Sequence, residues 1–273
     1  MTESDFPALQ ALQDVLREIE HAAIAVSGGV DSMTLATVAG RMPGNNIEIF
    51  HALSPAVPVD SSARVRRHAE RESWRLNEIN AGEFDDPKYR DNPVNRCFYC
   101  KSNLYGTIAA HTNETVLSGT NLDDLGDYRP GLEAAHRHGV RHPFVEAEID
   151  KETVRAIARH LALDDLAELP AAPCLSSRVE TGIRIEGDQL TLIDAVEKFV
   201  ARRLKAQTVR CRIRRKEVII ELGVDELEAL GEKDRSELRT VISAMFEADG
   251  IAKPLDFRPY RMGSAFLRRE ANG

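Results

Sequence analysis

The hexapeptide Ser27-Gly-Gly-Val-Asp-Ser32 combines the residue types that a bound phosphate requires. Gly28 and Gly29 let the backbone turn tightly and approach an anion, while exposed N–H groups and the dipole of a following helix favour negative charge. Ser27 and Ser32 add hydroxyl donors, and Asp31 is a carboxylate able to hold Mg²⁺ between phosphate oxygens. The motif lacks the lysine of a GxxxxGK[ST] loop and the spacing of GxGxxG, so neither of those chemistries is indicated. A second polar block, Gly119-Thr-Asn-Leu-Asp-Asp-Leu-Gly-Asp-Tyr-Arg-Pro-Gly131, carries three acids and one arginine suited to metal and phosphate handling. Asp124 is its leading Mg²⁺ candidate, ahead of Asp123 and Asp127. A solvated acidic loop is the plain alternative for any one of these acids.

Thiols make the third group. Cys97-Phe-Tyr-Cys100 opens a helical pattern, where the helix start lowers a thiol pKa. CxxC alone fits half a zinc site, a redox dithiol or two ligands of an iron–sulfur cluster. Cys174, in Pro-Cys-Leu-Ser-Ser-Arg178, supplies a third thiol from a loop rich in turn formers, and three thiolates are able to hold a [4Fe–4S] cluster with one iron open. Cys211 falls inside a strand pattern and reads as a buried, inert thiol.

These residues need a scaffold that brings loop ends together. The apolar run at residues 21 to 26, stopped by Ser-Gly-Gly and followed by an amphipathic stretch, predicts a strand, a tight turn and a helix. Strands are expected again at residues 47 to 53, 75 to 79 and 115 to 118. Helical patterns lie around residues 60 to 72, 99 to 111 and 150 to 161. Such alternation predicts an α/β fold with a mostly parallel sheet covered by helices on both faces, whose carboxyl strand ends carry the ligand. After the 169–178 segment the order changes: a helix at 186–204, strands at 208–214 and 217–222, then a helix at 225–246. We therefore expect two domains, residues 1–175 and a smaller α+β module at 176–273 that binds substrate and mediates assembly.

Composition sets the outer limits. The 273 residues are 42% hydrophobic and 29% charged, values that exclude collagen-like and disordered chains. Against 44 Asp and Glu stand 36 Lys and Arg, a formal charge of -8 that disfavours nucleic acid as a partner. No apolar run is long enough for a bilayer, and the opening MTESDFPALQ has acids where a signal peptide has bases, so a cytoplasmic protein without membrane attachment is expected.

The SGGVDS motif resembles that of the PP-loop ATP pyrophosphatases, an adenine nucleotide alpha hydrolase-like fold whose members split ATP between the α and β phosphates. Together with CxxCK, SGTNxDDxxDYRPG and PCLSSR, it makes residues 20 to 265 similar to the LarE family, the ATP-dependent sacrificial sulfur transferases of nickel-pincer cofactor biosynthesis. The resemblance implies adenylation of the carboxylates of a pyridinium-3,5-dicarboxylate mononucleotide, followed by their conversion to thiocarboxylates. It places ATP on Ser27, Gly28, Gly29, Asp31, Ser32, Gly119 and Thr120, with Mg²⁺ on Asp31 and Asp124. Cys174 is implied as the sulfur donor of the sacrificial branch. In a second branch Cys97, Cys100 and Cys174 hold a [4Fe–4S] cluster that carries sulfide, and having all three thiols this chain looks like that branch. The substrate phosphate falls to Ser177, Arg178, Arg210 and Arg212, the last two alternating along one strand face. Family members form homo-oligomers, often hexamers.

Two stretches depart from the family pattern. Arg214-Arg-Lys-Glu stands where a His-Gly-Asp type turn is usual, and Leu255-Asp-Phe-Arg-Pro-Tyr-Arg-Met-Gly-Ser264 replaces the more usual Asp-x-x-Gly-Tyr-Arg-x-Gly-Ser, although Tyr260, Arg261 and Ser264 still match. Other readings are a tRNA thiolation enzyme using the same adenylation, and a non-catalytic ATP-binding redox regulator acting through Cys97 and Cys100. Glu197 reads as either a functional acid or an ordinary surface glutamate.

Overall fold

The computed structural model describes residues 6–19, 21–44, 46–126, 129–170 and 173–265. Its elements run α1 (Pro7–Arg17), β1 (His21–Ala25), α2 (Val30–Arg41), β2 (Asn46–Ala52), α3 (Val59–Glu72), β3 (Arg75–Ile79), α4 (Pro87–Arg90), α5 (Arg96–His111), β4 (Thr115–Ser118), α6 (Pro130–Arg137), α7 (Pro143–Glu146), α8 (Lys151–His160) and α9 (Asp164–Ala167). They continue with α10 (Gly187–Leu204), β5 (Val209–Ile213), β6 (Val218–Leu222), α11 (Val224–Glu228), α12 (Glu232–Ala248) and β7 (Leu255–Pro259). Two compact units result: Met1–Glu83 with Cys97–Ala172, and Phe84–Arg96 with Pro173–Gly273.

The first unit is built on a parallel sheet of order β3-β2-β1-β4. Strand side chains alternate between faces, and here both faces are apolar. Ile24, Ile49 and Leu117 point into one layer with Leu9, Leu12 and Leu16 of α1, Met33 and Leu35 of α2, and Val154 and Ile157 of α8. Ala23, Phe50 and Val116 point the other way, against Tyr105 and Ile108 of α5 and Ala135 of α6. Because α2 lies within the first layer, its residues from Met33 to Ala39 are all buried, the buried threonines included. The registers Ala25↔Phe50 and Ala25↔Ser118 align the carboxyl ends of β2, β1 and β4, so the loops after them start from one end of the sheet.

In the second unit β5 and β6 form an antiparallel hairpin, and β7 joins β6 in parallel to give the order β5-β6-β7. All five residues of the central β6 are buried. Leu190, Ile193, Val196 and Val200 form the buried stripe of α10, and Leu238, Ile242 and Phe246 that of α12. The single helix expected at 225–246 is two, because Gly231 takes an extended conformation at the N-cap of α12. Segment 84–96 is fastened into this unit by Asn92, whose side-chain amide donates to the carbonyls of Val179, Glu180 and Ile183. Asp127 and the closing residues 268–273 lie outside the described residues.

Candidate functional site

In the first unit the chain leaves β1 at Val26, whose N–H donates to Phe50 O, and turns through Ser27, Gly28 and Gly29 into α2. Two close approaches require glycine here. Gly28 has φ of 81°, and a Cβ on it would lie 2.7 Å from Ser61 O. A Cβ on Gly119, at the end of β4, would lie 2.6 Å from Ser32 N and 2.8 Å from Asp31 C. The two loops thus meet backbone to backbone at the carboxyl ends of β1 and β4, where α2 opens. Ser32 Oγ receives Ser27 N at 3.1 Å and lies 3.3 Å from Ser27 Oγ, so the two serines brace the turn. Arg64 Nη1 donates to Gly28 O at 2.7 Å.

Beneath the turn His51 is fully buried, with Nδ1 2.9 Å from Val26 O and Nε2 2.8 Å from Ser62 Oγ. A carbonyl only accepts, so Nδ1 carries the proton and Nε2 accepts from Ser62. Burial holds this imidazole below its ordinary pKa, opposed by the carbonyl of Val26 and the charge of Glu78. The folded state therefore binds fewer protons at His51 than the unfolded chain, and its contribution is lost as pH falls below the ordinary histidine value of about 6.5. We expect the drop in melting temperature between pH 7.5 and 5.5 to be smaller in a His51→Gln variant than in the parent, as read by circular dichroism.

The loop after β4 carries the acids. Asn121 Nδ2 donates to Asp31 Oδ1 at 3.1 Å and Asn121 N to Asp124 Oδ2 at 3.2 Å, so one residue links the two Mg²⁺ candidates. Asp124 also pairs with Arg129 at 2.8 Å. Asp123 accepts from Lys151 N, and Lys151 Nζ reaches Asp31 Oδ2 at 2.5 Å. Thr120 Oγ1 lies 3.1 Å from Ser118 Oγ, which is 2.8 Å from His142 Nδ1. Burial lowers the pKa of His142 despite the nearby carboxylates of Glu146 and Asp124. Asn121, Lys151 and His51 escaped the sequence reading, since no spacing connects positions 51 or 151 to position 31.

Cys97 and Cys100 lie three residues apart in the first turns of α5, on neighbouring positions of one helix face, and both are half-buried. Lys101 stacks over Tyr105 at 5.6 Å, and Arg137 of α6 over Phe98 at 4.7 Å. Cys174 belongs to the second unit, where it is exposed. None of the four cysteines is in a disulfide. Among the described residues, no three His, Cys, Asp or Glu side chains are grouped to hold a metal ion.

In the second unit Arg178 anchors the Cys174 loop. Its guanidinium donates to Pro173 O at 2.6 Å, Cys174 O at 3.3 Å and Ser177 Oγ at 3.0 Å, and it meets Glu197 through two bonds of 3.0 and 3.1 Å. Glu197 also receives Cys211 N at 2.8 Å, so this α10 carboxylate joins the loop to β5. Arg212 is likewise buried, donating to Glu221 at 2.9 Å and to Ser177 O at 3.0 Å, while Arg214 donates to Ser264 O. Arg210 lies over the Tyr260 ring at 5.7 Å, and burial together with the charge of Arg178 pulls its pKa down. Four guanidinium groups thus gather about two buried carboxylates, Glu197 and Glu221, and the excess positive charge suits an anion. Cys211 is fully buried, and burial pushes its thiol well up, in line with an inert role.

The Arg178–Glu197 pair has side chains only 3% and 12% exposed. Removing one partner of such a pair leaves a buried charge, so Glu197→Ala is expected to cost about 3 to 5 kcal/mol of stability in urea unfolding. Arg178 is therefore tied first to the loop's own backbone, where the sequence suggested a fork aimed at substrate.

A parallel sheet flanked by helices, with a glycine turn at the carboxyl end of β1 facing an acidic loop after β4, is consistent with an α/β protein of PP-loop-like fold. No family model matches the chain. An uncharacterized protein of Synechocystis sp. is 36% identical over 224 residues, covering 81% of this chain and 83% of that protein. Pyridinium-3,5-bisthiocarboxylic acid mononucleotide synthase of Lactiplantibacillus plantarum is 28% identical over 212 residues, 76% of each chain. An uncharacterized protein of Methanocaldococcus jannaschii is 27% identical over 215 residues, 77% of this chain and 81% of that one. The chain belongs to the LarE-like family that these relatives represent. Among the described residues no helix is long and apolar enough to cross a membrane.

Proposed function

We propose that the protein is an ATP-dependent sulfur transferase that adenylates the carboxylates of pyridinium-3,5-dicarboxylate mononucleotide and converts them to thiocarboxylates for a nickel-pincer cofactor. The observation that carries this reading is the close packing of the turn after β1, where a side chain fits neither at Gly119, which presses on the start of α2, nor at Gly28, which presses on Ser61 of α3. The similarity to the Lactiplantibacillus plantarum synthase supplies the substrate class.

A carboxylate is a poor acyl donor because its oxygen leaves badly. Ser27, Gly28, Gly29, Ser32, Gly119 and Thr120 hold ATP so that a substrate carboxylate oxygen attacks the α-phosphorus. The new O–P bond forms as the α–β bridge breaks, and pyrophosphate departs with the electron pair. Asp31 and Asp124, both hydrogen-bonded by Asn121, would hold Mg²⁺. The metal would neutralise charge on the phosphates.

In the sulfur step a thiolate attacks the acyl carbon and AMP leaves. Exposed Cys174 is the donor in the sacrificial form of the reaction, its Cβ–S bond breaking as the α-proton is lost to leave dehydroalanine. In the second form of the reaction Cys97, Cys100 and Cys174, all outside disulfides, would hold a [4Fe–4S] cluster, and sulfide would take the place of the cysteine sulfur. Ser177, Arg210 and Arg212 are the candidates for the substrate phosphate, Arg178 setting the loop that carries Ser177. We further propose a cytoplasmic homo-oligomer.

The test is pyrophosphate release with ATP, Mg²⁺ and the pyridinium dicarboxylate under anaerobic conditions. Release that requires the dicarboxylate supports the reading. Release stimulated instead by tRNA, or nucleotide binding without turnover, would displace it.

A further inference from the structure

We propose that Lys151 is a further nucleotide-handling residue, whose ammonium pairs with Asp31 and passes to the phosphates when a metal–ATP complex takes that carboxylate. The inference rests on the ATP reading above and concerns a residue outside the Ser27–Ser32 and Gly119–Gly131 motifs. Both oxygens of Asp31 are engaged by protein donors, Oδ1 by Asn121 Nδ2 at 3.1 Å and Oδ2 by Lys151 Nζ at 2.5 Å. A divalent cation arriving at either oxygen therefore competes with a donor already seated there. Of the two donors only the lysine is charged, and two cations on one carboxylate repel each other, so the metal displaces Lys151 and leaves the neutral amide in place.

The root of Lys151 is fixed while its head is able to move. Its N–H donates to Asp123 Oδ2 at 3.2 Å, and the preceding Asp150 caps α8 by accepting from Thr153 N at 2.8 Å. Leu122 N donates to Ile149 O, which fastens the same stretch to the acidic loop. The side chain itself is 33% exposed on a flexible four-carbon stem. Asp31 is the second residue of α2, so an ammonium displaced from it stands beside the N–H groups of the phosphate turn. Lys151 thereby supplies, from 120 residues along the chain, the cation that a GxxxxGK[ST] loop carries within its own motif.

Mn²⁺ titration with α,β-methylene-ATP, read by the electron paramagnetic resonance of free Mn²⁺, separates this inference from the reading beneath it. In Lys151→Met the competitor for Asp31 is gone, and the Mn²⁺ Kd should fall by about threefold. The same variant should release pyrophosphate at least about tenfold more slowly, because a cation is missing from the phosphates. Lys151→Arg, which keeps the charge, should bind Mn²⁺ like the parent. A parent protein that fails to bind the analogue overturns the ATP reading and this inference together. A parent that binds, beside a folded Lys151→Met with unchanged or weaker Mn²⁺ affinity, overturns the inference alone.

Discussion

A Cys174→Ala chain should still release pyrophosphate in its first turnover with ATP and the pyridinium dicarboxylate, and should form no thiocarboxylate at all. The two half-reactions depend on different residues. In the proposed reaction phosphate binding falls to the turn after β1 and the loop after β4, both in the first unit, whereas Cys174 lies in the second. The substitution removes an exposed sulfur that donates no hydrogen bond to the loop, since Arg178 holds that loop through the main-chain carbonyls of Pro173 and Cys174. The loop's fastening therefore survives, and stability should change by less than about 0.5 kcal/mol. Single-turnover chemistry with product mass analysis checks both halves. Retained sulfur transfer in this variant would refute Cys174 as the sulfur-handling residue in either form of the mechanism.

The opposite phenotype is expected of Gly119→Ala. Its Cβ would meet Ser32 N, Asp31 C and Ser32 Cα, all backbone atoms between 2.6 and 2.8 Å away, so no rotamer relieves the clash. The β4 loop has to withdraw from the start of α2, and Asn121 and Asp124 move with it. Overpacking of this kind costs roughly 1 to 3 kcal/mol, and the part that falls on the cradle weakens ATP binding by at least about tenfold. Isothermal titration with ATP analogue, alongside a thermal melt, separates lost binding from lost fold. Wild-type affinity in a folded Gly119→Ala protein would remove the cradle from the account.

Much of the first unit was legible because both of its signals are local. Residues 21 to 26 and 115 to 118 are short apolar runs that end in Ser-Gly, and parallel strands buried on both faces read in just that way. The break between α11 and α12 turns on one extended glycine inside a helical pattern, and the two patterns look alike in sequence. β7 was hidden although Leu255-Asp-Phe-Arg258 alternates apolar and polar, because the run is short, ends in proline and pairs at a sheet edge. Segment 84–96 joins the second unit through side-chain contacts, Asn92 with the carbonyls of Val179, Glu180 and Ile183, Tyr89 with Ser176 and Arg90 with Glu186, that no change in composition announces.

The site divides along the same line. Ser27 to Ser32 and Gly119 formed motifs because backbone geometry demands those residue types at fixed offsets. Arg178 and Arg212 were visible as cations, but a sequence does not reveal that Glu197 and Glu221 meet them. Lys151 had no signal, since its role depends on a contact made only when α8 docks beside the β4 loop.

The central claim is sulfur-for-oxygen exchange on a nucleotide-borne carboxylate. The most direct measurement is anaerobic incubation of the whole chain with ATP, Mg²⁺ and pyridinium-3,5-dicarboxylate mononucleotide, followed by mass spectrometry of the small molecule and of the peptide containing Cys174. The account predicts a thiocarboxylate product formed with pyrophosphate and AMP, with Cys174 either converted to dehydroalanine or intact beside bound iron and acid-labile sulfide. An unchanged dicarboxylate in a protein that binds ATP, or an acyl product without sulfur, would contradict it.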